Sequence, residues 1–219
     1  MIPIRDENPT RRTPYVTILL IAANCGVFIR EMMLPPELLE GFVGQFAAIP
    51  SQVMTDNPLN WVTLISSMFL HGGIAHLLGN MLYLWIFGNN IEDRLGHIGF
   101  TAFYLLGGIA AALTHIIMQP DSNIPMIGAS GAISAVLGAY MIAYPRARIV
   151  LLIWFLLFIR FVRVPAFLVL GAWFIMQISG ILQPSSQGIA WYAHIGGFAA
   201  GIILIIATGK HRNKKLSWI

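Results

Sequence analysis

Long apolar runs separated by short polar connectors make up most of the chain. A helix that crosses a bilayer needs about 20 largely apolar residues. Six segments fit: 14–33, 71–91, 99–118, 127–144, 164–182 and 189–208. Chain-breaking residues punctuate the intervals. Pro35-Pro36 follows the first run, Gln119-Pro120-Asp121-Ser122-Asn123 separates the third from the fourth, and Gln183-Pro184-Ser185-Ser186-Gln187-Gly188 precedes the sixth. The pattern predicts an all-α membrane protein, a bundle of six transmembrane helices in one domain. Residues 1–13 form an N-terminal segment, 14–208 the membrane domain and 209–219 a basic tail. The apolar run Ile149–Ile159 is too short to cross, because 11 residues span roughly 16 Å as a helix. It is expected to be an extension or interfacial piece. Phe42, Phe46, Ile49 and Trp61 suggest that region 34–70 lies in or on the outer leaflet.

Composition agrees with this pattern. Hydrophobic residues make up 57% of the chain and charged residues 10%, against about 25% charged in a soluble domain. Cys25 is the single cysteine, which excludes an internal disulfide and a cysteine-based metal site. The net charge of +4 does not imply nucleic-acid binding, because the basic residues lie between apolar runs and not on one polar face. Lys and Arg favour the cytoplasmic side. With the N-terminus inside, every Lys and Arg except Arg30 falls there. Glu31, Glu37, Glu40, Asp56 and Asp121 fall in the outer loops. The run Val16–Ile29 lacks a small-residue cleavage site and reads as a retained anchor. The compact layout suggests a multi-pass protein of a cell (inner) membrane, with both termini cytoplasmic.

Polar side chains inside apolar spans are costly and mark candidate sites. His71, His76, His115 and His194 stand out, with Asn80 one helical turn after His76. Orientation by basic residues alone puts Ser130, His76, Asn80 and His194 at similar depth near the outer side. This set suits acyl transfer. A serine hydroxyl needs a base to take its proton, and histidine is the usual one. Neither Asp nor Glu shares that depth, so the pattern predicts a dyad, Ser130 and His194. Ser130 also opens a helix, where free N–H groups favour an anion. His76 and Asn80 offer side-chain donors to a developing oxyanion. His115 is the competing base. Gly-Ala-Ser-Gly by itself is a common packing motif in membrane helices, and Gly197 and Gly201 permit close helix contact.

These residues resemble the rhomboid family of intramembrane serine proteases. The resemblance lies in His71-Gly-Gly-Ile-Ala-His76-Leu-Leu-Gly-Asn80, Gly128-Ala-Ser130-Gly131 and Ala193-His194-Ile-Gly-Gly197-Phe-Ala-Ala-Gly201. Glu92-Asp93-Arg94-Leu95-Gly96 is similar to the family's cytoplasmic-side polar cluster. The resemblance covers residues 10–208 and implies a six-helix rhomboid-like bundle. It implies Ser130 as nucleophile and His194 as base, with His76, Asn80 and the Ser130 N–H forming the oxyanion hole. It implies substrate entry past the fifth span, with Trp173 and Phe174, and past the loop 183–189. Substrates would be transmembrane proteins cut in or near a membrane segment, within the lipid bilayer and without metal or cofactor. Two positions depart from the family. Trp61-Val62 stands where many members have Trp-Arg, and Ser134 stands where some have an aromatic against the histidine. The orientation of His194 is then expected to come from Trp191 or Tyr192.

Two other functions compete. One is a non-proteolytic rhomboid-like protein that binds membrane clients. The other is a small transporter or channel, which internal repeats or buried charges would indicate and the sequence lacks. A His-Glu-x-x-His zinc motif and paired intramembrane aspartates are also absent from the sequence.

Overall fold

A computed structural model describes residues 2–55, 57–155, 158–182 and 188–209. The chain opens with strand β1 (Ile2–Asp6) and helix α1 (Tyr15–Met33). Short helices α2 (Pro36–Phe46) and α3 (Pro50–Val53) follow, then α4 (Thr63–Ser66), flanked by 3-10 turns at Pro58–Val62 and Ser67–Phe69. Helix α5 (Ile74–Tyr83) continues through a π turn (Leu84–Gly88) into α6 (Asn89–Leu95). After α7 (His97–Met118) and α8 (Ser130–Ala143) come strands β2 (Arg148–Phe155) and β3 (Phe158–Pro165). Helices α9 (Ala166–Ile181) and α10 (Trp191–Ala207) complete the described fold.

Helix α8 is the centre of the molecule, and its composition explains why. Every residue from Ala132 to Tyr140 is buried, as a helix enclosed by other helices requires. Most of its side chains are small, so α7 and α10 approach its backbone closely. A Cβ at Gly197 would strike the Gly131 carbonyl, and one at Gly201 the Ala135 carbonyl. Gly138 in turn faces the Phe198 carbonyl, and Gly107 faces Ala135. Lipid offers little hydrophobic drive for helices to associate, so this tight seam supplies the contact.

Among the described residues, α1 and α7 are long and apolar enough to span a membrane. The segments Pro58–Phe69 and Ile74–Leu95 together form one further candidate, bent by 85° at the break between them. Helices α8, α9 and α10 are apolar but shorter. The break displaces His71 from its expected place at the end of a span. It precedes the first turn of α5, in irregular chain that bends at Gly72 and Gly73.

The expectation of an all-α chain is corrected by a three-stranded antiparallel sheet in the order β1-β2-β3. The described residues of the run Ile149–Ile159 belong to strand β2 and the start of β3, paired from Arg148↔Pro165 to Phe155↔Phe158. β1 joins it from residues 2–6, with Ile2 opposite Leu152 and Asp6 opposite Ile149. The run is rich in β-branched and aromatic residues, which suit a strand more than a helix. The N-terminal segment is therefore an integral part of the fold. Asp6 Oδ2 accepts from Asn90 Nδ2 and from Tyr140 Oη, both at 2.7 Å. Burial pushes the Asp6 carboxyl above its ordinary range, and those two hydrogen bonds only partly offset it. Glu92, almost wholly buried, accepts from the Val16 and Thr17 N–H groups, the Thr17 hydroxyl and His97 Nδ1. That carboxylate ties the start of α1 to α6, and it satisfies N–H groups that a helix start leaves unpaired.

Region 34–70 packs through a second small core of Ala48, Val53, Leu64, Ala112, Ile116 and Met126. Trp61 is exposed there, while Phe42 and Phe46 pack against each other with centroids 4.8 Å apart. Glu31, expected in an outer loop, lies in the last turn of α1 and is buried. Its carboxylate accepts the His71 N–H at 3.2 Å. Residues 183–187 of the expected entry loop, Asp56, and the tail beyond Gly209 lie outside the described residues.

Candidate active site

Gly128 sets the geometry of the site. Its φ is +113°, a region that L side chains rarely adopt. Its N–H donates to the Ser67 carbonyl at 2.9 Å. A Cβ there would sit 2.8 Å from the His76 imidazole. The bare glycine thus leaves room for the His76 imidazole beside the chain two residues before Ser130. Ser130 then begins α8, where the first backbone N–H groups lack helical partners.

His194 reaches Ser130 from α10. Its Nε2 lies 2.8 Å from Ser130 Oγ, and the two residues are 64 positions apart in sequence. The close seam between α8 and α10 makes this possible, because Gly197 lies one helical turn beyond His194, on the Gly131 carbonyl. Trp173 of α9 lies against the imidazole with centroids 6.1 Å apart, and Trp191 meets it edge-on at the same separation. Tyr192, the other expected support, packs on His115 instead. His194 Nδ1 is held at 2.9 Å by Gln177 Oε1, also from α9.

Reading the sequence for ionisable residues missed Gln177. The signal was nonetheless present: one amide in the middle of an apolar run, four residues after Trp173. Ser134 does not touch the imidazole by hydrogen bond. Its hydroxyl donates to the Ser130 carbonyl at 2.6 Å, within its own helix.

A cavity of about 980 Å³ opens onto the pair. His76 and Asn80 line it together with Ser130 and His194. His76 Nδ1 accepts from the Gly72 N–H at 3.4 Å, which leaves its Nε2 to carry the proton. Asn80 Nδ2 donates to His71 Nε2 at 3.0 Å and keeps a second hydrogen. The His71 ring completes the relay by directing Nδ1 to the Phe69 carbonyl. His115 also lines the cavity, but the Ser130 hydroxyl is bonded to His194. Trp173 lines the cavity too, and Trp173 and Phe174 both stack on Phe198, with centroids 5.9 and 4.6 Å apart. Among the described residues, no group of His, Cys, Asp and Glu could hold a metal ion.

Apolar helices around a serine hydrogen-bonded to a histidine define a helical membrane protein with a polar serine–histidine pair inside its bundle. The family model described as Rhomboid domain matches residues 58–211, and the chain belongs to the rhomboid family. It is similar to Rhomboid protein 1, mitochondrial, of Saccharomyces cerevisiae, at 29% identity over 71% of this chain and 45% of the relative. It is similar to RHOMBOID-like protein 12, mitochondrial, of Arabidopsis thaliana, at 28% identity over 86% of this chain and 56% of the relative. Presenilin-associated rhomboid-like protein, mitochondrial, of Bos taurus is 28% identical over 84% of this chain and 46% of its own length. The chain spans about half the length of these curated relatives.

Proposed function

We propose that this protein is an intramembrane serine protease that cuts peptide bonds in or near transmembrane segments of other membrane proteins. The observation that carries the reading is the 2.8 Å contact between Ser130 Oγ and His194 Nε2. Ser130 Oγ attacks the scissile carbonyl carbon while His194 Nε2 takes its proton. The carbonyl oxygen becomes an oxyanion, held by the Ser130 N–H, the spare hydrogen of Asn80 Nδ2 and His76 Nε2–H. As the tetrahedral intermediate collapses, His194 gives the proton to the leaving amine, and an acyl-Ser130 ester remains. Water then attacks that ester with His194 as base again, and the new carboxylate leaves.

The bilayer explains the cavity. A peptide bond inside a helix is sheltered, and water is scarce in lipid. Polar groups on the cavity wall, among them Asn80, His76, Gln119 and Ser122, give the hydrolytic water a place within the bundle. Substrate enters where α9 meets α10, past the Trp173 and Phe174 stack on Phe198. All six apolar segments cross, the three short helices with the help of their flanking residues. Charge bias supports termini on the cytoplasmic side, or its organellar equivalent, with Ser130 toward the other side. The partners are lipid and transmembrane substrates. A mechanism-based serine reagent such as a fluorophosphonate tests the chemistry. Wild type is expected to carry one adduct, on Ser130, and His194→Ala none. An unlabelled, folded wild type would favour the client-binding alternative.

A further inference from the structure

A neutral imidazole serves as a base only through the nitrogen that lacks hydrogen. Something must therefore keep the hydrogen of His194 on Nδ1. In a Ser-His-Asp triad a carboxylate does this. Here no carboxylate occurs among the described residues that line the cavity. The titratable groups that share the cavity with His194 are His76 from α5, His115 from α7, and Tyr83 and Tyr192 on the wall. The rings of Trp173 and Trp191 limit the imidazole's tilt but give Nδ1 no acceptor.

Gln177 supplies that acceptor, and the amide's own orientation is fixed. It is buried, at 6% exposure. Its Nε2 donates to the Trp173 carbonyl at 3.0 Å, one turn earlier in α9. That bond turns Oε1 toward His194 Nδ1 at 2.9 Å. An amide oxygen can only accept, so Nδ1 must carry the hydrogen. Nε2 is then bare where it meets the Ser130 hydroxyl at 2.8 Å.

We infer that Gln177 is a positioning residue that fixes the tautomer and ring plane of His194 from α9, a third member of the site that uses a neutral amide where triads use a carboxylate. The inference rests on the Ser130–His194 protease reading. Because the amide is neutral, it orients the imidazole without adding a full negative charge to stabilise the imidazolium.

Two substitutions in the full chain, reconstituted in liposomes with a transmembrane reporter, test it. Gln177→Met keeps the length and apolar packing but removes the amide acceptor. It is expected to lower kcat by about tenfold to 1,000-fold, a part of the roughly 10²–10⁴-fold that general-base catalysis contributes, with KM near wild type. Gln177→Glu keeps an acceptor oxygen and adds negative charge. It is expected to restore much of kcat and to move the acid limb of kcat/KM to higher pH, because a carboxylate favours the protonated imidazole. His76 and His115 are common to all variants and do not produce that difference. Wild-type kcat and pH profile in both variants would overturn the inference. So would equal losses in both with an unmoved acid limb, the signature of a merely structural amide. If Gln177→Met fails to fold, the acid limb of Gln177→Glu decides alone. Wild type that neither cleaves the reporter nor labels at Ser130 would instead overturn the protease reading beneath it.

Discussion

At the scale of residues, the site consists of polar groups that orient one another. Glu31 holds the His71 N–H, the His71 ring accepts from Asn80, and Asn80 keeps one hydrogen toward the cavity. Gln177 holds His194, and His194 holds Ser130. Asn80→Ala removes its bond to His71 and the spare hydrogen that is used only when an oxyanion forms. It is expected to lower kcat by about 10²–10³-fold, or 2.7–4 kcal/mol, with KM little changed. Single-turnover kinetics on the reporter would check this, and a loss below fivefold would give Asn80 a structural role only. Much of this set was legible in the sequence, because a histidine or asparagine in an apolar run is costly without a use. Gln177 and Glu31 were harder to read. A lone amide carries no titratable signal, and Glu31 sits so near a span's end that it passes for a loop residue.

At the scale of elements, two junctions shape the molecule. The seam of α8 with α10 rests on Gly131, Gly138, Gly197 and Gly201, and the sequence announced it through its small-residue spacing. The sheet was hidden. An apolar run of about ten residues reads equally as a buried helix piece or a strand. Only pairing with residues 2–6, far away in sequence, decides it. At that junction Asp6 lies between Asn90 and Tyr140, with its pKa raised by burial. A raised carboxylate pKa means that folding favours the protonated form. That contribution is fully present below the unfolded pKa of about 3.9 and is lost as pH rises through the folded value. The apparent melting midpoint in detergent is therefore expected to fall from pH 4 upward over that window. Asp6→Asn, which cannot ionise, should flatten this slope. A slope identical in the variant would remove Asp6 as its source.

At the scale of the whole molecule, α8 separates chemistry from scaffold. Ser130 opens the helix, and the sheet follows its other end. The distribution of Lys and Arg already brought Ser130, His76, Asn80 and His194 to one depth before any contact was known. The fold brings the same four to one cavity. Periodicity alone did not reveal the bend of 85° before α5 or the short lengths of α8, α9 and α10. The bend falls at residues 70–73, where Gly72 and Gly73 interrupt the helix. The central claim is that Ser130 and His194 together cut membrane proteins. Cleavage of a transmembrane reporter in liposomes, comparing wild type with Ser130→Ala and His194→Ala, tests it most directly. The account predicts cleavage within the reporter's membrane segment by wild type and none by either folded variant. Cleavage that persists in Ser130→Ala would contradict it.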